Sequence, residues 1–170
     1  MGVVRALVLA LVIALAVTLQ ATLFPYLSYD GVVPNLALLL VVAAALVRGP
    51  DFAAVLGFLS GLAIDLAPPA DHVAGRWALA LVLVGYLAGR VRQDARTSAL
   101  AAVVTVAAAS FVGTSVFALS GMVLTDPAVS ASEALAVIPV GVVYDVLLTP
   151  FVLPVMMRLF RRLEPHQVAY

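Results

Sequence analysis

The stretch from Ser98 to Leu124 carries no charged side chain, and it is the longest of six apolar runs in the chain. The others lie at about residues 3–24, 33–47, 52–67, 77–89 and 134–157, and only short polar turns separate them. A helix of about 20 apolar residues is what crosses a bilayer core. The fold class expected is therefore all-α: one polytopic domain over residues 1–170, with six transmembrane helices and a short tail at 158–170. Composition supports this class. Charged residues are only 11% of the chain, against about a quarter in a soluble domain. There are no cysteines, so disulfides and thiolate metal sites are ruled out.

Local signals mark where the runs stop. One arginine, Arg5, lies at the start of the first run, and Ala14-Leu-Ala16 is like a signal-peptide cleavage site. The run continues past it to Phe24, so an uncleaved first helix is expected, with Gln20 placed to bond to a neighbouring helix. Pro34-Asn35 opens the second run, where proline suits a first helical turn. Arg48-Gly49-Pro50-Asp51 reads as a tight turn. Pro68 and Pro69 end the third run, since proline donates no backbone bond and disfavours helix before it. Trp77 opens the fourth run, suited to a membrane interface.

The arginines set the expected orientation. Six spans put Arg5, Arg48, Arg90, Arg92, Arg96, Arg158, Arg161 and Arg162 on one side and only Arg76 on the other. Basic residues concentrate on the cytoplasmic side, so both termini are expected there, as topology and headgroup anchors. Asp30, Asp71, Asp126 and Glu133 then face outward.

Two carboxylates interrupt the runs. Gly57, Gly61 and Asp65 are four residues apart and share one helix face, and Gly141, Asp145 and Thr149 repeat the pattern. Small residues let helices approach closely, as does the second pair, Gly85 and Gly89. Either pair serves packing within the bundle or contact with a partner, and the sequence does not separate these. Asp145 follows Glu133 by twelve residues, about 18 Å along a helix, which places it deeper than Asp65. Tyr144, Thr114 and Ser110 are its candidate partners. Each acid reads as a structural hydrogen-bonding group, as a proton or substrate site, or as a contact for a partner's helix.

Other chemistry finds no support. Tyr144-Asp145 is half of an aspartyl-protease pattern, but Leu62-Ala-Ile64 before Asp65 lacks the other half. A carboxylate dyad must also lie within a few ångströms. Ser60 has no base in reach, because His72 and His166 both fall outside the runs. Two isolated histidines do not assemble a metal site, and no phosphate-binding glycine loop is present. Neither an enzyme nor a cofactor is expected.

Pro34-Asn35-Leu, Arg48-Gly49, Gly57-Phe-Leu-Ser-Gly61-Leu-Ala-Ile-Asp65, Gly75-Arg-Trp-Ala-Leu79 and Gly85-Tyr-Leu-Ala-Gly89 together resemble the rod shape-determining protein MreD family. The resemblance implies a non-enzymatic subunit of the bacterial cell-elongation machinery in the cytoplasmic membrane. Its implied partners are an MreC-like single-span protein and, through it, MreB, RodA and a penicillin-binding transpeptidase. It also implies a fold similar to the substrate-binding subunits of energy-coupling-factor transporters. The alternative is accordingly a vitamin-binding subunit of that kind, which predicts a polar and aromatic pocket near the outer face.

Overall fold

The computed structural model describes residues 2–28, 31–68, 73–92, 98–126 and 130–163. Among them the chain forms six α-helices and one short 3-10 turn, Phe24–Leu27. The helices are α1 (Gly2–Thr22), α2 (Leu36–Arg48), α3 (Pro50–Leu66), α4 (Arg76–Arg90), α5 (Ala99–Val123) and α6 (Ala131–Arg162). Asp30, Asp71, His72, Arg96 and His166, and most of the expected tail, lie outside the described residues.

The bundle is built around α2. Its sequence, LALLLVVAAALVR, has no polar face before Arg48, and every residue from Leu36 to Val47 is buried. A helix apolar on all sides belongs inside. The other five helices all pack against it. At 13 residues it is about 20 Å long, well short of a bilayer core of about 30 Å. Three helices, α1, α5 and α6, are long and apolar enough to cross a membrane. The other two, α3 and α4, have 17 and 15 residues.

Turn chemistry explains the join between α2 and α3. Gly49 adopts φ 93°, a conformation that side-chain-bearing residues rarely take, and Pro50 follows at the first position of α3. The 3-10 turn likewise carries a proline in its first positions.

The ends of α6 differ from expectation. The run expected at 134–157 is a 32-residue helix that contains Pro139, Pro150 and Pro154 and continues through Arg158, Arg161 and Arg162. In membrane helices neighbouring groups re-satisfy the backbone that a proline frees, so these prolines do not end the helix. Its start is fixed by a capping box: Ser130 Oγ accepts from the Glu133 N–H, and the Glu133 carboxylate accepts from the Ser130 N–H.

Candidate functional site

Both acids in the apolar runs hold the start of another helix. Asp65, 1% exposed, lies in the last turn of α3. Its Oδ2 accepts from the backbone N–H of Gly75 (2.8 Å) and Ala78 (3.1 Å), and its Oδ1 from that of Trp77 (3.1 Å). The first N–H groups of a helix have no intrahelical acceptor and favour a negative charge nearby. Gly75, the N-cap of α4, has no side chain to supply one. The preceding helix supplies it instead.

Asp145, also 1% exposed, does the same for α2. Its Oδ1 accepts from Asn35 N–H at 2.7 Å and its Oδ2 from Ser110 Oγ at 2.6 Å. Two further side chains converge on the same helix start. Asn35 Oδ1 accepts from Leu38 N–H at 2.9 Å, and Gln20 Oε1 from Ala37 N–H at 3.3 Å. The buried start of α2 is thus tied to α1, α5 and α6. Thr149 Oγ1 donates to the Asp145 carbonyl at 2.7 Å, closing the Gly141-Asp145-Thr149 face. Tyr144 turns elsewhere, its hydroxyl donating to the Leu27 carbonyl at 2.9 Å. Of the three partners named from sequence for Asp145, Ser110 bonds its carboxylate. Thr114 instead donates its hydroxyl to the Ser110 carbonyl. The two acids hold different helix starts and share no donor.

The glycine pairs lie inside the chain's own α3–α4 interface. A Cβ on Gly57 would meet the Leu81 backbone, and one on Gly61 the backbone of Trp77 and Ala78. From the other side, Gly85 faces the Ala53 backbone and Gly89 the backbone of Pro50. These pairings run antiparallel along the whole contact, and it is the most extensive between any two helices. In the structure α3 and α4 occupy each other's small-residue face.

Arg48, Arg90, Arg92, Arg158, Arg161 and Arg162 gather at the opposite end from Asp65. The Arg48 guanidinium lies 4.3 Å from the Phe52 ring centre, and its Nη1 donates to the Leu163 carbonyl at 3.5 Å. Arg92 reaches the Gly49 turn. Arg90 donates to the Tyr86 hydroxyl at 3.3 Å, and Arg158, Arg161 and Arg162 are exposed.

Arg76 is different. It is 2% exposed, pairs with Asp126 Oδ2 at 2.5 Å and donates to the Phe117 carbonyl at 2.9 Å. Its guanidinium lies 4.0 Å from the Phe117 ring centre, and Trp77 stacks on the same ring at 4.5 Å. In the sequence Arg76 stands out only as the exception to the charge bias. That isolation was the available signal, because a lone cation among acids is the one positioned to be paired.

Beside the start of α2 lies a cleft of about 450 Å³. Val17 and Gln20 of α1, Asn35, Ile64, Trp77 and Phe117 contribute to its walls, and Gly141 and Asp145 of α6 complete one side. Glu133 also borders it, its carboxyl held below the usual range by the Ser130 hydroxyl and then by the Ser130 N–H. Among the described residues no group of three His, Asp or Glu side chains could hold a metal ion.

A sealed central helix, long apolar helices around it and buried carboxylates engaged with helix starts define a helical membrane protein. The chain matches the family model of the rod shape-determining protein MreD over residues 2–163. It belongs to the MreD family and is a rod shape-determining membrane protein. No curated protein and no solved structure matches it.

Proposed function

We propose that this chain is a non-enzymatic scaffold of the cell-elongation machinery in the bacterial cytoplasmic membrane. In this reading all six helices are membrane-embedded, both termini are cytoplasmic, and the architecture is that of energy-coupling-factor substrate-binding subunits. The chain holds an MreC-like single-span partner and, through it, works with MreB, RodA and a penicillin-binding transpeptidase. Membership of the MreD family carries this reading. It is supported by the engagement of Asp65 and Asp145 with backbone N–H groups, which gives both carboxylates a structural role.

With the glycine pairs occupied, a partner helix needs another surface. An apolar groove between α4 and α5, with Ala88, Ala101, Thr105, Ala108 and Ala109 among its lining residues, offers one. Its one hydroxyl, on Thr105, donates to the Ala101 carbonyl and leaves the groove free of unmet donors. Close approach at small residues is how membrane helices associate. The test is co-purification from native membranes in mild detergent, with mass spectrometry of what remains bound. Recovery of the single-span partner with RodA or the transpeptidase is expected, and Ala108→Trp should release it. An ATPase pair with a coupling membrane subunit would support the vitamin-transporter alternative instead. The cleft beside α2 gives that alternative a location, but most of its wall is aliphatic.

A further inference from the structure

The cleft beside α2 is a concave space within the protein, and its wall chemistry is specific enough to say what it accepts. Its volume, about 450 Å³, falls within the range of small-molecule sites. Two carboxamides stand on its wall, and both have their oxygen directed at α2: Asn35 Oδ1 toward Leu38 N–H and Gln20 Oε1 toward Ala37 N–H. Each amide therefore turns its NH2 group away from the helix. Asn35 is 5% exposed, and its Nδ2 is buried with no partner. An unmet buried donor is costly, which makes it the natural place for a ligand's acceptor. Thr114, also on the wall, has donated its proton to the Ser110 carbonyl and keeps lone pairs to accept.

Charge narrows the class further. No arginine is among the described residues that line the cleft, whereas Glu133 and Asp145 both are. An anion would meet two carboxylates and no cation. The Asp145 oxygens already accept from Asn35 and Ser110 and the Glu133 carboxylate from Ser130, so both carboxylates have donors from the protein itself. The remaining wall is aliphatic, with the stacked Trp77–Phe117 pair at one side.

We propose that this cleft binds an uncharged amphiphile: an apolar body against Val17, Ile64 and Trp77, and a hydroxyl or amide head toward Asn35, Gln20 and Thr114. This site shares no lining residue with the α4–α5 groove proposed for a partner helix and stands or falls independently of the scaffold reading.

Trp77 is the one tryptophan in the chain and lines the cleft, so its fluorescence reports occupancy directly. The experiment uses the full chain in phosphatidylcholine nanodiscs, titrated with a dibrominated medium-chain alcohol whose bromines quench tryptophan on contact. The matching brominated carboxylate and ammonium compounds are run alongside. Saturable quenching by the alcohol, reversed by its unbrominated form, is expected, with at least tenfold weaker effect from either charged compound. A larger side chain at Gly141 fills the cleft, and Gly141→Ala is the control for the fold. A Cβ at Gly141 would lie 3.8 Å from Thr114 Cγ2 and 3.9 Å from Val32 Cγ1, ordinary contact distances. Gly141→Ala should keep the quenching and Gly141→Leu should abolish its saturable part. Quenching that never saturates, or that is the same in Gly141→Leu, would reduce the effect to partition into lipid and overturn the site. Preference for the carboxylate or the ammonium would overturn the proposed class.

Discussion

Asn35 donates its backbone N–H to the carboxylate of Asp145 at 2.7 Å, across 110 residues of sequence. This bond joins the start of the most buried helix to the middle of the longest one. It also answers a problem created by α2 itself. A helix this short and this apolar starts inside the protein, where water does not reach its free N–H groups. They find side-chain acceptors instead, on other helices and on the N-cap Asn35 itself. Asp65 solves the same problem for α4 from the end of α3. The small-residue-then-acid pattern is thus a way of starting one helix from the side of another.

Removing Ser110 tests how much the second donor on Asp145 matters. Ser110→Ala leaves Asp145 Oδ2 without its 2.6 Å bond in a fully buried site. A loss of about 1–3 kcal/mol is expected for a buried acceptor stripped of its partner. Reversible unfolding in mild detergent measures it. Asp145→Ala should cost more than Ser110→Ala, because it also frees the Asn35 N–H. The reverse ranking would remove Asp145 from the role of helix cap.

The glycine interface predicts a sharp positional contrast. A methyl group at Gly61 would press on the backbone of Trp77 and Ala78, which has no rotamer to shift. Gly61→Ala should therefore cost about 1–3 kcal/mol through forced separation of α3 and α4. Gly141→Ala, with ordinary contacts around the new methyl, should be neutral or gain up to about 1 kcal/mol from helix propensity. Equal melting temperatures for the two variants would contradict the packing described here.

Capping at α6 gives a pH dependence. The Glu133 carboxyl is held below its ordinary value of 4.5, first by the Ser130 hydroxyl and then by the Ser130 N–H. A depressed folded-state value means that the stabilisation is complete above the unfolded value and is lost as pH falls through the folded one. Amide exchange in the first turn of α6, corrected for its intrinsic pH dependence, should rise only below about pH 4.5. Glu133→Gln should flatten that response.

Much of this architecture was legible in the sequence because lipid-scale apolar runs and their breakers are local signals. Gly49-Pro50 marked its turn, and Gly57, Gly61 and Asp65 declared a shared face. What occupied that face was not legible, since small-residue spacing is the same whether the neighbour is α4 or another protein. The helix of α6 runs past the apolar run at 134–157 because a helix leaving the apolar zone simply carries its arginines outward. Gln20 is legible as a bond to a neighbouring helix, but that Gln20 and Asn35 both serve the start of α2 depends on where that helix starts in space. Arg76 was visible as an anomaly, but its partner lies 50 residues away across a fold no local pattern describes.

The Arg76–Asp126 pair is where a single change should be most damaging. Arg76 and Asp126 side chains are 2% and 10% exposed, so neither charge is relieved by water when the other is removed. Arg76→Ala also takes away the bond to the Phe117 carbonyl and the guanidinium lying on its ring. Breaking a buried pair from one side costs about 3–5 kcal/mol, whereas replacing both partners by uncharged groups of similar volume is often close to neutral. Arg76→Met should accordingly unfold the protein at much lower temperature, and adding Asp126→Asn should restore a large part of the loss. Arg76→Lys keeps the charge but not the fork that reaches both Asp126 and Phe117, so it should fall between Arg76→Met and the unsubstituted chain. Thermal unfolding in one detergent compares all four proteins. A double variant no more stable than Arg76→Met alone would mean that the stacking and carbonyl contacts to Phe117, rather than the charge pair, hold α4 to α5.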